Sequence, residues 1–285
     1  MFIEEEIIRL PEGIKQTYSG GLNIFSQTCK ELVLPSTMTY LTQGSIYIPQ
    51  LETLTILSES FTLDNFSSNA PIKHLNIDNC KYLNISPTAL RLNMEIIEFP
   101  ATLEKLGGMP ALNTCSCLKK IIFHGTTELE ANGLIFSGNP YTIKEIINIH
   151  IAFINANSSI AYAMNNLEKI TFADDLPNST ILGSNLSNKK KLREVRLPNT
   201  LITISANALS GTNISEIDIP ESVEFISNTA FKKCSNLRSM IVHATTPPIS
   251  EETDKKRVSN LCTIYVPTES LQLYKESPYW RAHFN

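Results

Sequence analysis

The sequence predicts an α/β repeat solenoid: a right-handed superhelix of about twelve coils of 21 to 26 residues, with a parallel β-sheet on the concave face and short helical or irregular turns on the convex face. Two observations predict it. Residues 192–209, LREVRLPNTLITISANAL, and 214–231, ISEIDIPESVEFISNTAF, write one pattern twice at an offset of 22 residues. The strand half of that pattern then recurs along the whole chain, and self-similarity at a fixed period of this length marks stacked supersecondary units.

The strand half runs apolar, two variable residues, apolar, variable, apolar, and then a closing position often held by proline. It starts at Glu5 (EEIIRLP), Cys29 (CKELVLP), Leu51 (LETLTIL), Ile72 (IKHLNID), Met94 (MEIIEFP) and Leu118 (LKKIIFH). It continues at Lys144 (KEIINIH), Leu167 (LEKITFA), Leu192, Ile214, Leu237 (LRSMIVH) and Leu261 (LCTIYVP). Positions four to seven alternate with the two-residue period of a strand that buries one face. One such strand cannot bury its own apolar face, so stacking coil on coil is what completes a core. Proline at position seven (Pro11, Pro35, Pro100, Pro198, Pro220 and Pro267) has no N–H and a fixed φ, which ends the strand and turns the chain. The second half of each unit, with Ala and Leu or Phe near Ser and Asn, suits a helical turn. The middle units read as irregular, because Lys144 stands at an apolar start and Asp174, Asp175 and Pro177 break the turn after Phe172.

One domain is expected over residues 1–285, with repeats over 1–267 and a C-terminal cap over 268–285, since the period crosses the chain without a linker. In that cap Thr268 would start a helix carrying Leu271 and Tyr274 inward, with Trp280 and Phe284 over the last coil. Apolar residues make up 42% of the chain and charged ones 18%, with net charge −4 and mean hydropathy −0.05. No stretch approaches the roughly 20 apolar residues of a membrane helix. The first residues, MFIEEEIIRL, are acidic and open inside a repeat, so they do not read as a secretory signal; either the chain is cytosolic or a signal was removed.

The run LREVRLPNTLITISANALSGTNISEIDIPESVEFISNTAFKKCSNLRSM resembles the BspA-type leucine-rich repeat, in which a Cys often precedes the next unit, as Cys234 precedes Leu237 and Cys115 precedes Leu118. The tail, ATTPPI and then CTIYVPTESLQLYKESPYW, is similar to the closing segment of such proteins. The resemblance implies a leucine-rich-repeat superhelix and a bacterial protein of the cell surface, or secreted, that works by binding host or microbial macromolecules. It implies no catalysis. Non-enzymatic recognition of an unidentified protein or glycan, by a monomer, is therefore the expected function. An intracellular, cytoplasmic structural or adaptor repeat protein is the alternative, which the unpaired cysteines favour.

Catalytic chemistry has little to start from. The six cysteines fall in no shared column of neighbouring coils, as a disulfide would need, and read as buried thiols. Cys115 and Cys117 with His124 look like metal ligands on paper, but an extended strand would carry His124 on the order of 20 Å from either sulfur. His124, His150 and His243 occupy position seven and read as surface imidazoles, since a pair without a third ligand makes a poor transition-metal site. No nucleophile motif or phosphate loop appears, and no cofactor is called for. Nucleic acid is disfavoured because outward strand positions mix signs (Arg9, Glu31, Glu98, Lys120, Lys169, Glu194, Arg196, Glu216, Asp218) without a basic track. Glu194, Glu216 and Asp218 cluster on adjacent strands, which a solvated face explains equally well.

Two surface features are expected. Position two should form an ion-pair column through Glu6, Lys30, Glu52, Lys73, Glu95, Lys119, Glu145, Glu168, Arg193, Ser215 and Arg238. Positions three and five should face solvent, which would expose Ile96, Ile122 and Ile146 in succession, rimmed by Glu98, Lys120, Asn148 and Lys169, as a candidate binding patch. Each of these units holds paired isoleucines, so a bulge that turns the other one inward competes evenly with the patch.

Overall fold

Most repeats place three apolar side chains, at positions one, four and six, on the inward side of the chain, the first (Glu5) and last (Leu261) being exposed at position one. The computed structural model of the protein describes residues 5–16, 24–41, 46–63, 72–85, 93–107, 117–125, 128–129, 142–149, 164–174 and 181–284. Strands stand at all twelve predicted places and every described pairing is parallel, so the fold is a parallel β-solenoid with little helix. The chain packs as two units, Met1–Ile143 and Lys144–Asn285, each built from the same coil.

In the first unit, Ile7–Arg9, Glu31–Leu34, Thr53–Ile56 and His74–Asn76 form one sheet, with Ile7 beside Glu31, Glu31 beside Thr53 and Thr53 beside His74. Ile96–Phe99 pairs with Lys120–Phe123 in the same register, Ile96 beside Lys120. Behind them run columns of buried residues: Cys29, Leu51, Ile72, Met94 and Leu118 at position one, and Leu34, Ile56, Ile77, Phe99 and Phe123 at position six. The Phe99 and Phe123 rings stack at 5.0 Å between centroids. In the second unit, Glu145–Ile149, Lys169–Phe172 and Glu194–Arg196 form one sheet and Glu216–Ile219, Ser239–Val242 and Thr263–Tyr265 another, over Leu167, Leu192, Ile214 and Leu237.

The strand is closed in a repeated way. The carbonyl of Pro35 accepts from Met38 N–H (3.1 Å), that of Pro100 from Leu103 (3.1 Å), that of Pro198 from Leu201 (3.1 Å) and that of Pro220 from Val223 (3.2 Å). Proline thus opens a tight turn, and the aliphatic residue three further on dives back into the core. Beyond that turn the structure departs from the helical expectation. The second wall is made of short parallel strands, such as Ser60–Leu63, Tyr82–Ile85 and Lys105–Gly107 in the first unit and Thr203–Ile204 and Phe225–Ile226 in the second. Their sequences, SFTL, YLNI, TI and FI, are short and β-branched or aromatic, and neighbouring coils offer them the ladder partners that a helix would waste. Turns follow these strands, with Asn207 and Lys233 at φ near +60°. The Asp174 carboxylate accepts from Asn199 N–H (2.8 Å) and Arg196 (2.9 Å), holding the turn of the next coil. Asp175 and Pro177 lie outside the described residues.

The charged column at position two forms. Lys30 meets Glu6 at 3.2 Å, Lys73 meets Glu52 at 2.8 Å and Lys119 meets Glu95 at 2.8 Å. In the second unit Glu168 lies between Lys144, at 3.3 Å, and Arg193. The member from the seventh coil is therefore Lys144 rather than Glu145. These pairs are exposed and each contributes only about 0 to 1 kcal/mol.

Cys29, Cys80, Cys234 and Cys262 are free thiols, the first three buried; Cys115 lies outside the described residues. Burial raises the Cys80 thiol to about 11, so it stays protonated, and its S–H donates to Ser58 O at 3.0 Å. Cys234 donates to Leu209 O at 3.0 Å. The thiols thus act as small apolar groups with one donor each.

At the C-terminal end, Thr268–Ser270 is a 3₁₀ turn and Leu271–Glu276 the helix, with Ser270 rather than Thr268 at its N-cap. Tyr274 and Trp280 are fully buried, whereas Leu271 is 37% exposed, contrary to its expected inward place. The Tyr274 hydroxyl donates to Ala244 O (2.7 Å) and the Trp280 indole N–H to Pro248 O (2.7 Å), so both aromatic rings bury without orphaned donors. An unforeseen partner is Arg257. It is buried, with its guanidinium 4.5 Å from the Trp280 ring centroid and donating to Ile226 O and Tyr279 O, and burial lowers its pKa to about 10. Its own N–H donates to His283 Nε2 at 3.0 Å, so that nitrogen must be unprotonated. Burial, then the charges of Arg257 and Lys256, hold the His283 pKa down to about 4. On the surface, Arg281 clamps Asp254 through two bonds of 2.6 and 2.7 Å.

Deleting residues 268–285 uncovers the apolar contacts of Tyr274 and Trp280, so the truncated chain should melt at lower temperature and aggregate on heating; an unchanged melting curve would show that the segment is no lid. The seat of His283 also sets an acid limit. Because its folded pKa lies below the ordinary 6.5, the unfolded chain takes up the proton first, and stability falls between about pH 6.5 and about 4 while staying level above. Discounted for partial exposure, the loss is about 1 to 2 kcal/mol. His283→Gln, which keeps an acceptor, should flatten that slope in chemical denaturation followed across the same window.

Candidate interaction surface

Positions three and five of the strands point away from the core, so their columns make the accessible face of the sheet, although Val33 at position five is itself buried. In the first unit position three carries Ile7, Glu31, Thr53, His74, Ile96 and Lys120, and position five carries Arg9, Val33, Thr55, Asn76, Glu98 and Ile122. Ile96 is exposed at 47%, and half-buried Ile122 lies beside Glu98 on the next coil, diagonal to Ile96. Glu98 does not stand free as a rim charge: its carboxylate meets His124 Nε2 at 2.7 Å. The same relation joins Asp218 and His243, at 3.7 Å, so a position-seven histidine answers the position-five acid one coil earlier. His150 lies outside the described residues.

In the second unit the expected patch fails at Ile146, which is fully buried. The register shows why. Glu145 lies beside Lys169 and Ile146 beside Ile170, so Ile143 is the apolar start of this coil and Ile146 its inward position four. The pairing then shifts between Ile146 and Ile149, and Asn148 sits in the left-handed region (φ 61°) with its N–H bonded to Thr171 Oγ1 at 2.8 Å. One extra residue is absorbed as a bulge, which returns Ile149 to the core. Lys169 pairs with Glu194 at 2.5 Å rather than rimming an apolar centre. Of the three predicted isoleucines only Ile96 is exposed, Ile122 is half-exposed and Ile146 is inside.

The structure shows instead a cleft that sequence reasoning passed over as a solvated acidic cluster. No ladder joins Glu194–Arg196 to Glu216–Ile219, and a cavity of about 630 Å³ opens there, lined among others by Arg193, Glu194, Arg196, Glu216, Asp218 and His243. The three neighbouring acids, Glu194, Glu216 and Asp218, were its only sign in the sequence. Like charges directly across a strand pair are unfavourable, and Glu194 with Glu216 at position three is such a pair. A comparable break in the ladder separates His74–Asn76 from Ile96–Phe99 in the first unit. Among the described residues no group of three or more His, Cys, Asp or Glu could hold a metal, and no helix is long and apolar enough to cross a membrane.

Residues 155–277 match the BspA type leucine rich repeat region in six copies. Solved structures with a similar course include a leucine-rich repeat protein from Bacteroides ovatus, at 16% identity and TM-score 0.40, covering 94% of this chain and 73% of that one. The pneumococcal vaccine antigen PcpA is similar at 15% identity and TM-score 0.33, over 96% of this chain and 87% of its own. A leucine rich cell surface protein from Faecalibacterium prausnitzii gives 13% identity and TM-score 0.30, over 95% and 90%. Among curated proteins none matches the chain.

The bulge makes a direct demand on position 148. Asn148→Gly should leave stability unchanged or slightly higher, while Asn148→Val should cost about 1 to 3 kcal/mol in urea unfolding, because a β-branched residue resists positive φ. Equal midpoints for the two variants would contradict the bulge.

Proposed function

We propose that this chain, which carries BspA-type leucine-rich repeats over residues 155–277, is a non-enzymatic binding protein that recognises a host or microbial protein or glycan through its concave strands, at the cell surface or after secretion. Repeats of this kind are interaction scaffolds, because stacking leaves a broad, regular sheet face free of core duties. The observation that carries the reading is the composition of that face. In the first unit it mixes exposed Ile96 and half-buried Ile122 with charges at Glu31, Glu98 and Lys120; in the second unit charges at Glu194, Arg196, Glu216 and Asp218 line the cleft. An apolar centre with a polar, charged surround is the usual anatomy of a recognition surface. The surface assignment rests on the kinship of the repeats. A second reading, an intracellular adaptor, draws on the free thiols of Cys29, Cys80, Cys234 and Cys262, which a reducing compartment preserves.

The deciding experiment presents the purified protein to a panel of extracellular-matrix proteins and glycans beside Ile96→Asp and Ile122→Asp variants and a variant off that face, Tyr47→Asp, on the strand Ile46–Tyr47 that pairs with Ile24–Phe25. A ligand whose affinity falls tenfold or more for the concave variants alone supports the reading. A ligand lost only with Tyr47→Asp, or an empty panel, speaks against it.

A further inference from the structure

In a continuous sheet each strand hydrogen-bonds to both neighbours, yet Glu194–Arg196 and Glu216–Ile219 share no ladder bond. Their coils are still tied on either side of that gap. Asn213 N–H donates to Leu192 O at 2.8 Å before the strands, and Thr203 and Ile204 pair with Phe225 and Ile226 on the second wall. The opening is therefore confined to the concave face.

Three properties of the cleft define its guest. Its lining includes Val195, Leu197 and Ile217, the buried apolar residues behind the open strand edges. Its edges carry unused main-chain groups. A parallel strand sends the N–H and C=O of alternate residues to alternate neighbours, and Ser215 O and Ile219 O already accept from Ser239 and His243 of the following coil. The intervening Glu216 and Asp218 therefore aim their main-chain groups at the cleft, opposite Val195. Finally, its charge is unbalanced. The basic side chains lining the site are already paired with acids of the preceding coil, Arg193 with Glu168 and Arg196 with Asp174, while Glu194 is engaged by Lys169. Among the described residues Glu216 has no ion pair, and Asp218 meets only His243, which is charged solely when protonated.

An apolar lining behind a rim of carbonyls and uncompensated carboxylates is complementary to a group with an aliphatic stem, a positive head, many donors and no acceptor. The arginine side chain is that group, and its planar fork matches two carboxylates better than the point charge of lysine. We propose that the cleft between Glu194–Arg196 and Glu216–Ile219 receives an arginine side chain presented by a protein partner. The stem lies on Val195, Leu197 and Ile217, and the guanidinium donates to the Glu216 and Asp218 carboxylates and to the open carbonyls of the strand edges. This inference builds on the reading of the concave strands as a recognition face.

The test needs no natural partner. Protein labelled with ¹³C in Ile and Val methyls is titrated with the peptide acetyl-Thr-Arg-Thr-amide and with the same peptide carrying citrulline, which keeps the shape and loses the charge. Val195 and Ile217 methyl signals should shift saturably with the arginine peptide. The citrulline peptide should bind roughly tenfold more weakly or worse, and a lysine peptide should fall between. Combining Glu216→Gln with Asp218→Asn should abolish the shifts while the other methyl signals stay in place, which certifies the fold. Equal binding of citrulline, or shifts at Ile122 as large as those at Val195, would overturn the site. If panel ligands bind this double variant as they bind the parent, the arginine site fails for that partner and the concave reading survives. If the arginine peptide binds while the panel stays empty, the site stands and the wider reading fails.

Discussion

Main-chain hydrogen bonding from each coil to the one before it is the constraint from which the other features follow. The contact at the start of the strand is almost invariant: Thr53 N–H to Lys30 O at 2.9 Å, Lys120 to Glu95 at 3.1 Å, Lys169 to Lys144 at 3.0 Å and Ser239 to Ser215 at 3.2 Å. Once that bond is fixed, the pleat decides which side chain goes inward, and residues in one position of successive coils lie about 4.8 Å apart. Columns of Leu and Ile, facing charges at position two and proline-headed turns are then one decision repeated. The coil has no freedom to choose a different face, so any irregular length must be absorbed as a bulge or a break in the ladder.

That dependence explains what the sequence revealed. The strand starts were legible because position one is apolar in ten of the twelve predicted units, and alternation after it is short but strict. The column of opposite charges was legible because it depends on register alone. The seventh coil was misread by one residue: KEIINIH fits the pattern with either isoleucine inward, and only pairing with Lys169–Phe172 reveals that Ile143 is the start. The second wall was misjudged as helical because its strands run only two to four residues, too few for periodicity to distinguish.

The cleft and the buried arginine were hidden for a different reason. A missing ladder leaves no motif, because LREVRLP and ISEIDIP are among the most regular units in the chain. It arises from pairs of side chains 22 residues apart, each ordinary in its own coil. Arg257 sits in a run of charge, EETDKKR, that reads as solvated, yet one of its members is desolvated by Trp280 from 23 residues further on. Contacts between coils are where this fold keeps its exceptions, and a pattern read within coils passes over them.

The sign alternation through Glu6, Lys30, Glu52, Lys73, Glu95 and Lys119 has a consequence for how such a chain can change length. Excising one coil by recombination between similar repeats would set glutamate on glutamate, or lysine on lysine, at the new junction. Excising two restores the original alternation. Although each pair contributes little, the column makes the coil pair, rather than the coil, the neutral unit of duplication and loss within this stretch.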